Sequence, residues 1–239
     1  MSRQKEFSII LPVLDEADII NQSLTNLRKY CSDEQVEIIV VDGDEAKGTI
    51  SNVRVPNIIK VSSAMGRSRQ MNAGAERALS DILIFLHVDT ELPENAMTEI
   101  RNVLMQKRAG AFDITFVGPR LLYKILSFVV LLRSRLTRIP YGDQAIFIKK
   151  DYFNKLGGFA DIPIMEDVDL MQRIKKRGDK IGFIRKRVKT STRRWKAEGL
   201  LFTLIRNPML FFLFLCGVSA KKLVHYYKSG RSVYRTKAE

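Results

Sequence analysis

Asp81-Ile-Leu-Ile-Phe-Leu-His-Val-Asp-Thr-Glu-Leu-Pro93 is the stretch on which the reading of this chain turns. Ile82 to Leu86 form a short apolar run of the length expected for a buried strand, and the run breaks directly into His87-Val88-Asp89. A strand that is apolar on both faces is covered on both faces, as in a parallel sheet flanked by helices. Ligands of such sheets bind beyond the carboxyl ends of the strands, so an imidazole and a carboxylate placed there mark a candidate site.

The same alternation extends in both directions. Residues 7–13 and 36–41 read as strands and 58–61 as a short third, with helices expected over 17–30, 71–79 and 93–106. Pro93 fits a first helical turn, where its missing N–H is not needed. Beyond it, 109–117 and 144–149 read as strands enclosing an apolar segment at 121–132. A helix over 166–177 and short strands near 181–184 follow. Strands alternating with helices predict an α/β fold with a mostly parallel sheet. The expected organisation is one domain over 1–195, with a first half at 7–108 and a second at 109–195, followed by a hydrophobic and basic extension at 196–239.

Composition limits the classes of function. With 239 residues and 46% hydrophobic content, the chain has enough apolar material for a full core. Cys31 and Cys216 have neither disulfide-framework nor zinc spacing, and no export signal is read at the N-terminus, so a cytoplasmic setting is expected. The net charge of +14 is concentrated in residues 185–239, which hold fourteen Lys and Arg against two Glu. A tail of this kind seeks a polyanion, either nucleic acid or an acidic lipid surface, unless it is simply a solvated face. A dinucleotide oxidoreductase is disfavoured, because Gly-x-Gly-x-x-Gly is absent after the first strand.

Three successive strand ends carry acids: Pro12-Val-Leu-Asp-Glu16, Asp42-Gly-Asp44 and His87-Val-Asp89. Any one of them could be a simple turn, since Asp and Gly favour turns after strands. Together they form a cluster that repels itself unless it holds a divalent cation or binds hydroxyl groups. Gly66-Arg-Ser-Arg-Gln-Met-Asn-Ala-Gly74 supplies the opposite sign at a helix start, where Arg67 and Arg69 are either phosphate ligands or solvated surface arginines.

Ser8-Ile-Ile-Leu-Pro-Val-Leu-Asp-Glu16, Val40-Val-Asp-Gly43, Gly66 to Gly74 and Leu86-His-Val-Asp-Thr90 resemble, in order and spacing, the motifs of family 2 glycosyltransferases of the GT-A fold. The resemblance covers roughly residues 7–195. It is closest to a small bacterial subgroup with the pair Gly-Asp-Gln-Ala-Ile-Phe and Met-Glu-Asp, which is linked with arsenosugar-type pathways. It implies that Pro12, Val13, Asp15, Glu16, Asp42, Arg67, Arg69, Asn72 and His87 surround the nucleotide and diphosphate, with Asp42 near the base or ribose. His87-Val-Asp89 stands where the family has Asp-x-Asp, which makes Asp89 the expected ligand of a Mn²⁺ or Mg²⁺ ion. His87 departs from that pattern.

Ile164-Met-Glu-Asp-Val-Asp169 begins a helix with acids and ends it with bases before Gly178, which by itself only complements the helix dipole. Asp169 and Arg173 read as an i,i+4 pair. The resemblance implies more for Glu166-Asp167, where the Asp takes the proton of the acceptor hydroxyl, and it places Gly142, Asp143 and Gln144 on the acceptor side. Ser191-Thr-Arg-Arg-Trp195 resembles a motif of processive members, with Ser191 at its first position, so Arg194 and Trp195 are expected at the site without polymerisation.

The expected function is an inverting, metal-dependent sugar transfer from a nucleotide-diphosphate donor. Its rivals are a basic nucleic-acid-binding protein and a non-catalytic descendant of the same fold. Nucleic acid does not account for acids at three strand ends, so none is expected as a partner. Residues 208–218 form an apolar run of eleven, about half of what a membrane-spanning helix needs. With lysines following, this end is expected to lie on an anionic membrane surface, or else to pack as a core or dimer helix, and it tilts the acceptor toward a lipophilic molecule.

Overall fold

The computed structural model describes residues 5–31, 35–118, 121–193 and 198–228. Four parallel strands form its first half: β1 (Phe7–Val13), β2 (Val36–Asp42), β3 (Ile58–Ser62) and β4 (Ile82–Phe85). β5 (Thr90–Glu91), β6 (Ala109–Val117), β7 (Ile146–Lys149) and β8 (Gly182–Ser191) complete an eight-stranded mixed sheet of order β3-β2-β1-β4-β7-β6-β8-β5. β7 runs antiparallel to both β4 and β6, while β8 is parallel to β6. The α/β class and covered sheet are as expected. β8 is longer than the short strands read near 181–184, because its polar residues alternate with the inward Ile184, Val188 and Thr190.

The strands sort their side chains by parity. Phe7, Ile9, Leu11 and Val13 of β1 join Ile38, Val40, Ile84 and Phe112 in one core. There they meet Ile20, Leu24 and Leu27 of helix α1 (Ala17–Arg28) and Ile100 of α4 (Ala96–Leu104). The alternate residues Ile10, Ile39, Val41, Leu83 and Phe85 form the opposite core. They pack on Met71 and Ala75 of α3 (Arg67–Arg77), Tyr152 and Phe153 of α6 (Lys150–Lys155), and Val168, Leu170 and Met171 of α7 (Glu166–Lys176). Each fully buried Ile, Leu or Val contributes roughly 1.5–3 kcal/mol over an exposed one, so burial on both faces of the sheet is what chiefly holds the fold together. Gly74 permits the contact of α3 with β1, since a Cβ there would stand 2.4 Å from Ile10 Cγ2.

Three boundaries depart from the sequence reading. Pro93 lies outside α4, whose N-cap is Asn95, because Pro93 ends the segment leaving β5 rather than starting the helix. Gln144, expected as the first residue of β7, instead ends a 3-10 turn, Gly142–Gln144, closed by Ala145 in the left-handed region. The apolar run read at 208–218 falls largely within a longer helix: α8 (Leu200–Leu215) continues through Pro208, and packing of Leu210 and Phe211 into the core sustains the helix across the lost N–H. A short α2 (Gly48–Ser51), a long α5 (Leu121–Thr137) and α9 (Ala220–Lys228) complete the chain.

Candidate active site

β1, β2 and β3 step one way across the sheet, and β4 returns to the other flank of β1. The carboxyl ends of β1 and β4 therefore border a switch point, where open α/β sheets leave a crevice. Asp15 leaves β1 in a left-handed conformation, φ 54°, and turns the chain into α1. The Glu16 amide donates to Thr49 Oγ1 at 3.0 Å, and its carboxylate accepts from Arg193 Nη2 at 2.7 Å. Burial raises the Glu16 carboxyl above its usual range; Arg193 opposes this, while Asp89 and Asp15 add to it. Asp15, Glu16, Asp89 and Arg193 thus share one rim, and a shallow cleft of about 860 Å³ lined by Asp89, Lys189 and Arg193 opens beside it.

The floor of the crevice is pinned by side chains whose hydrogen bonds are already committed. Asp42 is fully buried at the end of β2, where Oδ1 accepts the Asp44 amide at 3.0 Å and Oδ2 accepts those of Thr49 and Ile50 at 3.1 and 3.0 Å. The carboxylate at the start of α2 shapes the 44–50 loop and is not itself presented outward. Gln70 of α3 donates to the carbonyls of Val13 and Val41 at 2.6 and 2.9 Å, joining β1 and β2 next to Pro12. Gly43 leaves room for that amide, because a Cβ there would stand 2.8 Å from Gln70 Cδ.

The three polar residues expected on a diphosphate are divided among different partners. Arg67, 41% exposed, lies 3.9 Å from the buried Glu166 carboxylate. Arg69 forms a two-pronged pair with Asp161 at 2.8 and 2.9 Å on the surface. Asn72 exchanges two bonds with the Phe159 backbone, both 2.9 Å, and so clamps α3 to the Gly157-Gly158 turn. Only Arg67 faces the acidic cluster.

Beyond β4, three elements converge. An atom at the Cβ position of Gly142 would stand 3.2 Å from His87 Nε2 and 3.7 Å from Asp167 Oδ2. The Gly142 amide donates to Asp167 Oδ2 at 2.7 Å, and Asp167 Oδ1 accepts the Val168 amide at 2.7 Å. Met165, left-handed at φ 67°, turns the chain so that Glu166 and Asp167 open α7 at this point. Asp169 lies a turn further along in its expected pair with Arg173 at 2.7 Å.

Asp143 follows Gly142, with Oδ1 shielded from solvent and lacking a hydrogen-bond partner among the described residues. Burial pushes its carboxyl up to about 6, and the neighbouring Asp167 and Asp89 act in the same direction against Arg133 and Arg67. Arg133 of α5 stacks 3.3 Å over the Tyr141 ring. Gln144 is structural: it is fully buried, accepts from Ser134 Oγ at 2.7 Å and from the Tyr141 amide at 3.1 Å, and donates to the Phe112 carbonyl at 3.0 Å. It fixes the turn that presents Gly142 and Asp143. Arg194 and Trp195 lie outside the described residues.

Sequence reading missed Gln70, Arg133 and Arg193. Gln70 and Arg193 lie inside motifs already singled out, but nothing marked them over their neighbours. Arg133 lies in an apolar helix with no local signal.

Residues 8–154 match the family described as "Glycosyl transferase family 2". A "Probable glycosyltransferase" of Sulfolobus acidocaldarius is 25% identical over 155 residues, covering 60% of this chain and 32% of that protein. The chain thus spans about a third of the length of that curated relative. Among solved structures, the mannosyltransferase PcManGT from Pyrobaculum calidifontis, in complex with GDP-Man and Mn²⁺, superposes with a TM-score of 0.64 at 17% identity over 95% of this chain and 70% of that one. TarS 1-349 of S. aureus, in complex with UDP-GlcNAc, superposes with a TM-score of 0.58 at 14% identity over 79% of this chain and 59% of that one. These two likenesses establish the shared GT-A-type fold, and the family match extends over more than half of the sequence. The chain belongs to glycosyl transferase family 2.

Proposed function

We propose that the protein moves a sugar from a nucleoside-diphosphate donor to an acceptor hydroxyl, inverting the anomeric carbon. The observation that carries this reading is the meeting of His87, Gly142 and Asp167 at the carboxyl end of β4, beside the Asp89–Glu16 rim. Asp167 is the base. It is fixed by the amides of Gly142 and Val168, and it accepts the acceptor's proton as the new C–O bond forms and the bond to the diphosphate oxygen breaks. One base without a covalent nucleophile gives a single displacement. Asp42 acts at one remove, by holding the 44–50 loop against which the base and ribose would lie, while Arg67 and the Asp15–Glu16 turn face the diphosphate. Glu166 holds Arg67 in place.

The donor set fits a divalent cation. Its atoms are carboxylate oxygens, the choice of a hard ion such as Mg²⁺ or Mn²⁺, and Asp89 is the residue that would hold it. Among the described residues no three His, Cys, Asp or Glu side chains are grouped so as to hold a metal ion by themselves, so a cation on Asp89 would need further ligands from the donor's phosphates and water. Bound there, the cation would offset charge growing on the departing diphosphate.

The finer placement, in the subgroup linked with arsenosugar-type pathways, rests on Gly142–Phe147 and Met165–Asp167 alone. A lipophilic acceptor and contact with an anionic membrane are favoured by the apolar helices outside the site. Asp167→Asn tests the core of the proposal: turnover is expected to fall about 10²–10⁴-fold, with unchanged melting temperature and unchanged stabilisation by nucleotide plus Mn²⁺. A folded variant with wild-type turnover would overturn the assignment. Stabilisation by salt-sensitive nucleic acid, with none by any nucleoside diphosphate, would favour the nucleic-acid rival.

A further inference from the structure

Two adjoining helices expose the residue types that a helix packed on a core normally hides. α5 turns Tyr123, Leu126, Leu131 and Ser134 inward, yet Leu121, Ile125, Phe128, Leu132 and Leu136 form a single outward stripe, each 47–74% exposed. α8 is more extreme. It buries Thr203 and Arg206 while Phe202, Ile205, Met209 and Phe212 stand 45–71% exposed at helical spacing. Arg206 is held inside by Glu198 at 2.5 Å and lies over the rings of Phe202 and Tyr227. The helix therefore keeps its one charge inward, and the most exposed side chains among its described residues are apolar. α5 and α8 touch through Arg133, which sits 5.2 Å from the Phe211 ring centroid, and through Leu204, which packs on the core that contains Leu126 and Leu131. Paired apolar stripes of this kind mark an interaction surface.

Charge identifies what covers it. α5, α8 and α9 contain no Asp or Glu, and Lys124, Lys221 and Lys222 are exposed on them. Counting Lys221, Lys222 and the buried Arg206, the sequence from 185 onward holds fourteen Lys and Arg against two Glu. A second copy of this chain would set like charges against each other. Nucleic acid would meet apolar stripes rather than a basic groove. No helix among the described residues is long and apolar enough to cross a membrane. An apolar face edged by lysines, in a helix that does not span, fits the headgroup region of an acidic bilayer.

We propose that the α5 and α8 stripes insert into the surface of a bilayer containing anionic lipid, with Lys124, Lys221 and Lys222 held against the headgroups. This deepens the membrane contact named above and rests on no catalytic assignment. Vesicle binding reads this surface and nucleotide stabilisation reads the site, so either can fail without the other. α5 also carries Ser134 and Arg133, which hold the Tyr141–Gln144 turn, so docking would bring the acceptor side close to the lipid.

The test is co-sedimentation of the full-length protein with vesicles of phosphatidylcholine, alone or mixed with phosphatidylglycerol, at low and high salt. Binding is expected to the mixed vesicles, and to weaken in high salt. Phe128→Glu with Phe212→Glu should abolish it while the far-ultraviolet circular dichroism and nucleotide stabilisation stay unchanged. Lys221→Gln with Lys222→Gln should weaken it on the order of tenfold. No association with either vesicle overturns the proposal. Undiminished binding by a folded Phe128→Glu, Phe212→Glu protein also overturns it, because the basic tail alone would then suffice. A dimer that Phe212→Glu dissociates, in protein that ignores vesicles, reassigns the face to a second copy.

Discussion

Replacing Asp143 with Asn should stabilise the cation-free protein at neutral pH. Burial, and then the charges of Asp167 and Asp89, push this carboxyl from 3.8 to about 6 against Arg133 and Arg67. The folded state therefore binds the proton more tightly than the unfolded chain. That contribution to stability is fully present below the unfolded value and is lost as pH rises through about 6. At about 1.4 kcal/mol per pKa unit, the ionised Asp143 costs the fold up to about 3 kcal/mol at pH 7. For a domain of this size, 1 kcal/mol moves the melting temperature by about 2–4 °C, so Asp143→Asn should raise it by up to about 10 °C at pH 7. Little gain should remain at pH 4. Calorimetric melting from pH 4 to 8 in EDTA measures the difference directly. An equal shift at both ends of the range, or a lower melting temperature at pH 7, would refute the reasoning. Turnover should fall in the same variant, since a carboxylate kept at a cost to the fold is expected to act on the ligand.

Two other substitutions separate scaffold from ligand contact. Asn72→Ala removes both bonds to the Phe159 backbone and should cost about 1–3 kcal/mol of stability with little change in donor affinity; a tenfold loss of affinity at unchanged melting temperature would return Asn72 to the diphosphate. Gly43→Ala places a methyl 2.8 Å from Gln70 Cδ and should dislodge that amide from Val13 and Val41. A melting temperature lower by several degrees is expected from about 1–3 kcal/mol, and an unchanged one would show that Gln70 yields freely.

The first four strands were legible because each is dominated by Ile, Val, Leu and Phe, broken by no more than a polar residue or two such as Ser8, Glu37 or Lys60. Runs of that kind suit a sheet covered on both faces. β7 and β8 were harder. Gln144 reads as the first residue of a strand until its burial ties it into the preceding turn, and the alternation in β8 is diluted by Arg185, Lys186 and Arg187 on its exposed side. The apolar run reads as starting at Pro208, whereas the helix starts at Leu200. Local propensity ends a helix at such a proline, whereas burial of Leu210 and Phe211 outweighs one missing hydrogen bond.

The order of motifs was enough to name the family, the strand-end acids and the Glu166-Asp167 pair, since residue type and spacing along the chain carry that information. Which carboxylates look outward was settled only by tertiary contacts. Asp42 and Asp143 are alike on paper, yet one is saturated by three backbone amides while the other is left shielded beside Asp167 and Asp89. A hydrogen bond joins groups that are distant in sequence, as with Glu16 and Arg193 or Asn72 and Phe159, and such pairings exist only once the sheet has brought them together.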